Sequence, residues 1–455
     1  MRRRVRPRLK ALLMTQTDNS SQIVIIGGGF TGLSAAYEIA KRGRKAVILE
    51  QDSEVGGLAG SFEVAGQALE RFYHHWFTND VHIMKLIRDI GREKDIVYRP
   101  TRTGLYYANK IYRLSNPLDL LKFSALGFLD RLRLGLLVLR ARSVKDWRAI
   151  EHLTARDWLI DLAGHEVFRM VWEPLLVGKF GSFAGQVGAV WFWKKLILRG
   201  GSRARGGKEI LAYFRGGFGA LAQALRDEII RFGGEVRTNQ RAIGLKVDHG
   251  QCTGVETTRG VLPAKAVLMT CALPELADFL APHVPQEYRT RLLQIKYLAN
   301  LCLVLELKHS LSETYWLNVN DPSFPFVGII EHTNFESADS YGGRHIVYLS
   351  KYLPENEALY RMDDEAVLEF ATPHIQKMFP DFRREWIIRH HVWRARFAQP
   401  IAVPGYSSFI PSQQTPIPNI FITTMAQIYP EDRGTNYAVR EGRKIGRWLV
   451  EERPS

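Results

Sequence analysis

The apolar positions near the start of the chain fall into two short runs with a small-residue stretch between them. Ile23-Val24-Ile25-Ile26 reads as a strand. It enters Gly27-Gly28-Gly29-Phe30-Thr31-Gly32, and Leu33-Ser34-Ala35-Ala36 then opens a helix. Ala46-Val47-Ile48-Leu49 is a second strand, and it ends on Glu50. Strand, glycine turn, helix, strand and terminal acid is the order that a dinucleotide-binding βαβ unit needs. In that reading Gly27 allows the tight turn and Gly29 lets a pyrophosphate approach the helix N-terminus. Gly32 lets helix and strand pack closely, and Glu50 accepts hydrogen bonds from a ribose.

Further along, Asn79-Asp80 is placed to cap a helix over Val81 to Ile90. Thr154-Ala-Arg-Asp157 has the form of a capping box, opening a helix that Ala163 ends and Gly164 stops. Gly200-Gly201 and Gly206-Gly207 mark a basic, flexible linker. Leu118 to Arg142 is rich in Leu and Phe, with Lys122, Arg131, Arg133, Arg140 and Arg142 interspersed. It lacks the about 18 uncharged apolar residues of a spanning helix. Burial as a helical pair with a basic rim is the expectation; a peripheral contact with an anionic membrane surface is the alternative.

At 455 residues, two intertwined domains are the natural expectation. The formal charge of +15 comes from 62 basic and 47 acidic residues, and Arg2, Arg3, Arg4, Arg6, Arg8 and Lys10 supply six of the basic ones. Residues 1–20 read as a basic, disordered leader, and Met14 is an alternative start. The remaining basic residues are spread out, with no nucleic-acid module among them. Cys252, Cys271 and Cys302 form no C-x-x-C, which points to a reducing, cytoplasmic setting, no disulfide framework and no metal site. Cys271 and Cys302 lie in strand-like runs and read as inert core.

Just past Glu50 lies a second glycine pair, Gly56-Gly57-Leu58, and with it the chain resembles the flavin-containing amine oxidase superfamily. That group includes monoamine and polyamine oxidases, protoporphyrinogen oxidases, carotenoid-type desaturases and UDP-galactopyranose mutase. The resemblance implies an α/β fold: a Rossmann-like FAD-binding domain of glutathione-reductase-2 type with an inserted α+β substrate domain. It implies FAD-binding segments at 20–78, 205–272 and 395–455, and a substrate domain at 79–204 and 273–394. Residues 208–225 resemble the helix start that re-enters the FAD domain. Ala242 takes the adenine contact position, and Val261 to Thr270 resembles the next strand. Thr424 and Met425, with Asn436, Tyr437 and Ala438, resemble the segments that face the flavin. No cysteine lies between Trp393 and Gly442, where some members tether the cofactor, so the FAD is expected to be non-covalent. Leu58 replaces a common Arg, Thr424-Met425 replace Gly-Asp or Gly-Glu, and Tyr437 replaces Gly or Ala. Asn300 stands nearest to the Lys of strict amine oxidases.

Flavin chemistry needs orientation and electrostatics from the protein. His74 and His75 follow the second glycine pair at the distance where the mutase and desaturase branches place a strand near the ring, and either could exchange a proton. Arg433 is suited to offset negative charge on reduced flavin or on a substrate phosphate; the plainer alternative is a surface salt bridge to Glu431 or Asp432. The resemblance implies that the segment of Trp172, Glu173 and Lys179 helps wall the substrate cavity, or is structural; Trp191, Phe192, Trp193, Tyr315, Trp316 and Tyr352 suit a flat or apolar small molecule, or belong to an aromatic core. The first functional expectation is an FAD-dependent oxidoreductase taking a hydride from a C–N or C–C centre, closer to protoporphyrinogen oxidases and desaturases than to amine oxidases. The alternatives are a redox-neutral mutase or isomerase of a nucleotide- or lipid-linked sugar, and a non-catalytic binding protein on the same scaffold.

Overall fold

The computed structural model describes residues 22–107, 110–113, 126–200, 209–321 and 323–451. Residues 1–20, 118–125, 206–208 and Gly201, on which several of the expectations above fall, lie outside the described residues. The chain begins β1 (Ile23–Ile26), α1 (Phe30–Lys41), β2 (Ala46–Leu49), β3 (Ser61–Val64), β4 (Gln67–Glu70), β5 (Trp76–Phe77) and α2 (Val81–Asp89). It continues β6 (Ile96–Thr101), β7 (Thr103–Tyr107), β8 (Lys110–Arg113), α3 (Phe128–Ser143), α4 (Ala155–Ala163), α5 (Glu173–Phe180) and α6 (Ala189–Gly200). Then come β9 (Glu209–Phe214), α7 (Gly217–Arg231), β10 (Glu235–Arg237), β11 (Ala242–Asp248), β12 (Gln251–Thr257), β13 (Gly260–Pro263) and β14 (Ala266–Met269). The last part holds β15 (Tyr297–Leu307), β16 (Trp316–Val319), β17 (Gly328–Glu331), β18 (His345–Leu353), β19 (Ile387–Pro400), β20 (Ile420–Ile422) and, as the C-terminal helix, α8 (Thr435–Glu451).

The five short apolar strands β10-β2-β1-β14-β20 form one parallel sheet in that order. β1 and β2 are buried on both faces, as continuous β-branched runs in a parallel sheet should be. α1 and α8 cover this sheet against each other at close range. A Cβ on Gly442 would lie 2.3 Å from the Thr31 carbonyl oxygen, and one on Gly446 2.6 Å from that of Ala35. Between the two helices Glu38 is 2% exposed and holds Arg443 at 2.5 Å and Arg447 at 3.0 Å, with Arg42 on the same carboxylate. A second, seven-stranded sheet runs β19-β15-β18-β17-β16-β7-β8 and is mostly antiparallel. β5-β9-β6 and β11-β12-β13 make two smaller sheets.

Several local expectations meet the structure differently. Thr154 Oγ1 accepts the Asp157 N–H at 3.0 Å and Gly164 ends α4 at φ +87°, as expected. Asp80 stands at the N-cap of α2, but its carboxylate turns back to accept the Phe77 N–H. The run from Val261 to Thr270 is two strands, because Pro263 ends β13 and the chain turns before β14. Cys302 is core in β15, whereas Cys271 follows β14 half-buried, its thiol pushed up to about 12 by burial. Of 118–142, one helix is described. Leu134, Leu137 and Ala141 are buried as expected, but Phe128, Leu129, Leu132, Leu136 and Leu139 face outward. No described helix is long and apolar enough to cross a membrane.

Candidate active site and nucleotide cradle

The β1–α1 turn is built as its glycines require. Gly27 has φ +109°, and a Cβ there would lie 2.5 Å from Thr270 Oγ1. A Cβ on Gly32 would lie 2.0 Å from the Gly27 carbonyl oxygen, which excludes any side chain. Gly29 differs: a Cβ would meet nothing closer than the Gly57 Cα at 3.9 Å. The second glycine pair therefore lies alongside the first turn. Gly56 N–H donates to the Gly28 carbonyl at 2.9 Å, and Gly29 and Gly56 form a bridge. Gly56 and Gly57 have φ +125° and +58°, and Leu58 sits in the short turn that follows. No side chain caps the start of α1, and its first turn, with Phe30, Thr31 and Gly32, holds no acid.

Glu50 is buried at the tip of β2. One carboxylate oxygen accepts the Gly28 N–H at 2.8 Å and the other accepts that of Asp52 at 2.9 Å. Burial raises its pKa despite these bonds. Gln240 N–H donates to the Glu50 carbonyl at 2.9 Å, and Ala242, two residues after Gln240, starts β11. An uncapped helix start, a glycine floor that a Cβ would fill, and an acid beside it match an anionic dinucleotide.

The hairpin β3–β4 brings the chain back to this cradle. Arg71 N–H donates to the Gly60 carbonyl at 3.0 Å, which sets Phe72 to His75 next to the second glycine pair. His74 Nδ1 meets the Phe72 carbonyl at 2.5 Å. A carbonyl only accepts, so Nδ1 carries the proton and Nε2 is left with its lone pair. Burial pushes its pKa down to about 4, and Arg433 adds to that. His75 joins a separate group: its Nδ1 bonds the Tyr315 hydroxyl at 3.0 Å, among Phe77 and Trp316. The two histidines thus part, and only His74 shares its surroundings with Arg433.

Arg433 pairs with neither neighbouring acid. Its Nη2 donates to the Tyr352 hydroxyl at 2.7 Å, and its buried Nε has no partner. Glu431 instead meets Lys194 at 3.3 Å and Arg440 at 3.0 Å, and Asp432 meets Lys195 at 2.6 Å. Burial would raise the Asp432 pKa, but Lys195, Lys179 and Arg433 hold it well below the usual range. These pairs tie the loop before α8 to α6 and leave Arg433 to face Tyr352. Lys179 from α5 lies 5.1 Å from the Tyr352 ring and 4.8 Å from that of Trp191. Tyr73 completes the group, bonding Ser350, which also accepts from Asn300 Nδ2 at 2.9 Å. Trp191, Gln399 and Arg433 line one small cavity, and Nε1, Oε1 and Nε of these residues are buried without partners. Trp172 packs edge-on to Phe192 at 5.1 Å.

At the other end, Thr424 leaves β20 with its Oγ1 buried and unpartnered, and half-buried Met425 follows. The Asn436 side chain is engaged elsewhere, since its Oδ1 accepts the N–H groups of His82 and Ile83 at 2.9 and 3.0 Å, capping α2. Tyr437 leans on His82 and Arg440, and Ala438 N–H bonds the Gly434 carbonyl. Trp76 Nε1 donates to Thr435 Oγ1 at 2.8 Å and fixes the start of α8 to β5. Sequence reasoning missed Ser350 and the Lys194-Lys195 to Glu431-Asp432 match. The complementary charge of those two dipeptides was a readable signal. Buried Glu70, at the head of the His74 segment, accepts from the Tyr213 hydroxyl at 2.7 Å and the Phe218 N–H at 2.6 Å and is pushed up to about 7 by burial.

The family described as flavin containing amine oxidoreductase matches residues 30–444. Zeta-carotene desaturase of Arabidopsis thaliana is 21% identical over 88% of this chain and 80% of its own length. Coproporphyrinogen III oxidase of Bacillus subtilis is 22% identical over 58% of this chain and 63% of its own length. Among solved structures, a candidate protoporphyrinogen oxidase from Exiguobacterium sp. 255-15 superposes with TM-score 0.75 at 18% identity, covering 95% of this chain and 99% of that one. Reduced UDP-galactopyranose mutase superposes with TM-score 0.72 at 14% identity, covering 95% of this chain and 94% of that one.

Proposed function

Because the chain belongs to the flavin-containing amine oxidoreductase family, we propose that it is an FAD-dependent oxidoreductase that removes a hydride from a C–N or C–C centre of a flat, apolar or phosphate-linked small molecule. The observation that carries this reading is the meeting of His74, Tyr73, Tyr352 and Arg433 beside the glycine cradle. The cradle residues Gly27, Gly28, Gly29, Phe30, Thr31 and Gly32 receive the pyrophosphate, and Glu50 accepts from the ribose. Gly56, Gly57 and Leu58 would let backbone approach the cofactor, Ala242 would take its adenine end, and Thr424, Met425, Asn436, Tyr437 and Ala438 its flavin end. FAD, when bound, supplies the hydride acceptor. His74 stays neutral at physiological pH, since burial disfavours its protonated form, and offers Nε2 as a hydrogen-bond acceptor. Arg433 would supply fixed positive charge to the bound flavin. Asn300, tied to Ser350, offers no amine base, which supports a desaturase- or protoporphyrinogen-oxidase-like reaction over amine oxidation.

The segments 20–78, 205–272 and 395–455 form the FAD-binding unit in this reading, supported by all five parallel strands falling within them. Non-covalent binding is supported by the absence of cysteine between residues 393 and 442. A redox-neutral mutase is the second reading, favoured by Arg433 and Lys179 around Tyr352, which suit a phosphate. The test is anaerobic reduction of the purified protein, return to air with the flavin absorbance recorded, and acid precipitation. Flavin released into the supernatant and fast reoxidation with peroxide are expected of an oxidase. Slow reoxidation points to a desaturase with another acceptor or to the mutase. A colourless protein that takes up no added FAD overturns the reading.

A further inference from the structure

α3 carries apolar side chains on two opposite faces. Leu134, Leu137 and Ala141 point into the protein and are 7%, 0% and 0% exposed. Phe128, Leu129, Leu132, Leu136 and Leu139 are 64%, 67%, 44%, 47% and 60% exposed. At 3.6 residues per turn these five project within one arc of about 100°, on the side away from the buried set. Scattered exposed leucines need no explanation, but five on one helix face form a patch of the kind that marks an interaction surface.

The charges on the same helix say what covers it. On the helical wheel Arg133 and Arg140 border the leucine arc on one edge, and Arg131 and Arg142 border it on the other. Their only acid on α3 is Asp130, which projects away from the arc and holds Arg133 at 2.9 Å. Arg140 anchors to the Leu162 carbonyl, so its guanidinium is fixed at the rim of the patch. An apolar stripe with cations along both edges matches the boundary of an anionic bilayer, where leucines enter the acyl region and arginines stay at the phosphates. A second copy of the chain fits poorly, because a two-fold contact of leucine on leucine sets arginine rims against arginine rims. A nucleic acid fits poorly too, since the leucine row lies between the cations and any phosphate.

We propose that the α3 face is a docking surface for an anionic membrane, with the helix axis in the plane of the bilayer. The protein then works on the membrane surface, held by an interfacial helix.

The test is co-flotation of the purified full-length holoprotein with vesicles of phosphatidylcholine alone and of phosphatidylcholine mixed with phosphatidylglycerol. Two variants accompany it: Leu132→Ser/Leu136→Ser/Leu139→Ser, and Arg133→Gln/Arg142→Gln. All five positions are exposed, so the thermal midpoints and flavin spectra should match the parent. The parent is expected to float with the anionic vesicles and much less with the neutral ones. The leucine variant should lose about tenfold or more in partitioning to the anionic vesicles. The arginine variant should lose the preference for them. A parent that stays in the load with both vesicle types overturns the proposal, as does undiminished flotation of the leucine variant. A parent that is a dimer in gel filtration, converted to monomer by the leucine substitutions, assigns the face to a second copy and also overturns it.

Discussion

Gly29 and Gly32 lie three residues apart in one turn, yet the structure asks different things of them. Gly32 is glycine because protein fills the space: an added methyl would sit 2.0 Å from a backbone oxygen. Gly29 is glycine with open space in front of it, its φ of −72° being available to any residue. A residue kept bare without need from the protein itself points to a ligand that comes close. Gly32→Ala should therefore destabilise the protein by about 1–3 kcal/mol, as overpacking does. Gly29→Ala should leave the unfolding free energy of the apo-protein within about 1 kcal/mol and weaken FAD binding about tenfold or more. Denaturant titration of the apo-forms with FAD titration by fluorescence quenching separates the two. Equal FAD affinity for Gly29→Ala and the parent would remove the pyrophosphate from this turn. Glu50 makes a blunter probe, because its carboxylate also holds Gly28 and Asp52.

Between elements, single side chains do the joining, and Asn436 is the clearest case. It enters from α8 and caps α2, a helix more than 350 residues earlier in the chain. Asn436→Ala leaves two N–H groups at the start of α2 without their acceptor and should cost about 1–2 kcal/mol, read as a lower urea midpoint at unchanged slope. Asn436→Asp keeps an acceptor oxygen and should recover most of the loss; no loss in the alanine variant would mean that water serves these amides equally well. This joint was not readable in the sequence, which offered Asp80 as the cap, since a local rule has no knowledge of a distant helix. The same limit explains the other misses. The βαβ unit was legible because its strands, turn and acid lie within 28 residues and each obeys a local steric rule. Thr154 with Asp157 was legible for the same reason. The seven-stranded sheet pairs β16 with β7 and β15 with β19, contacts that no short-range pattern encodes. That Arg433 pairs with neither neighbouring acid depends on Lys194 and Lys195, which reach Glu431 and Asp432 from α6. In α3, apolar residues were legible as a class, but which of them face inward depends on where α4 and α6 lie.

Across the whole molecule, buried titratable groups pull stability in opposite directions with pH. His74 and His332 are held by burial at about 4 and about 3, below the ordinary value near 6.5. Between those values the unfolded chain binds protons that the native chain does not, so their contribution is full above pH 6.5 and is lost as pH falls. Glu70, Glu331 and Asp80 are raised by burial to about 7, about 7 and about 6. Here the native chain holds the extra protons, so these contributions are present at low pH and are lost as pH rises through 7. In the window from about pH 5 to 7 the two sets oppose each other, and the thermal midpoint should change little. Below about pH 4.5 the Glu70 and Glu331 contributions have levelled off, and below about pH 4 that of Asp80. His332 keeps losing to about pH 3 and His74 to about pH 4, and Glu38 joins them: burial would raise it, but Arg447, Arg443 and Arg42 hold it at about 2. The midpoint should therefore fall steeply from about pH 4.5 to 3 in calorimetry. Glu70→Gln isolates one member of the opposing set. The amide oxygen can still accept from Tyr213 or Phe218, but nothing ionises. Parent and variant should diverge as pH rises, with stability shifting in favour of the variant by about 2 kcal/mol between about pH 5 and 8.5. A difference that stays constant across that range would mean that Glu70 enters the folded protein with the same affinity for a proton that it has in the unfolded chain. Burial beneath Tyr213 and the start of α7 would then have no hold on its charge.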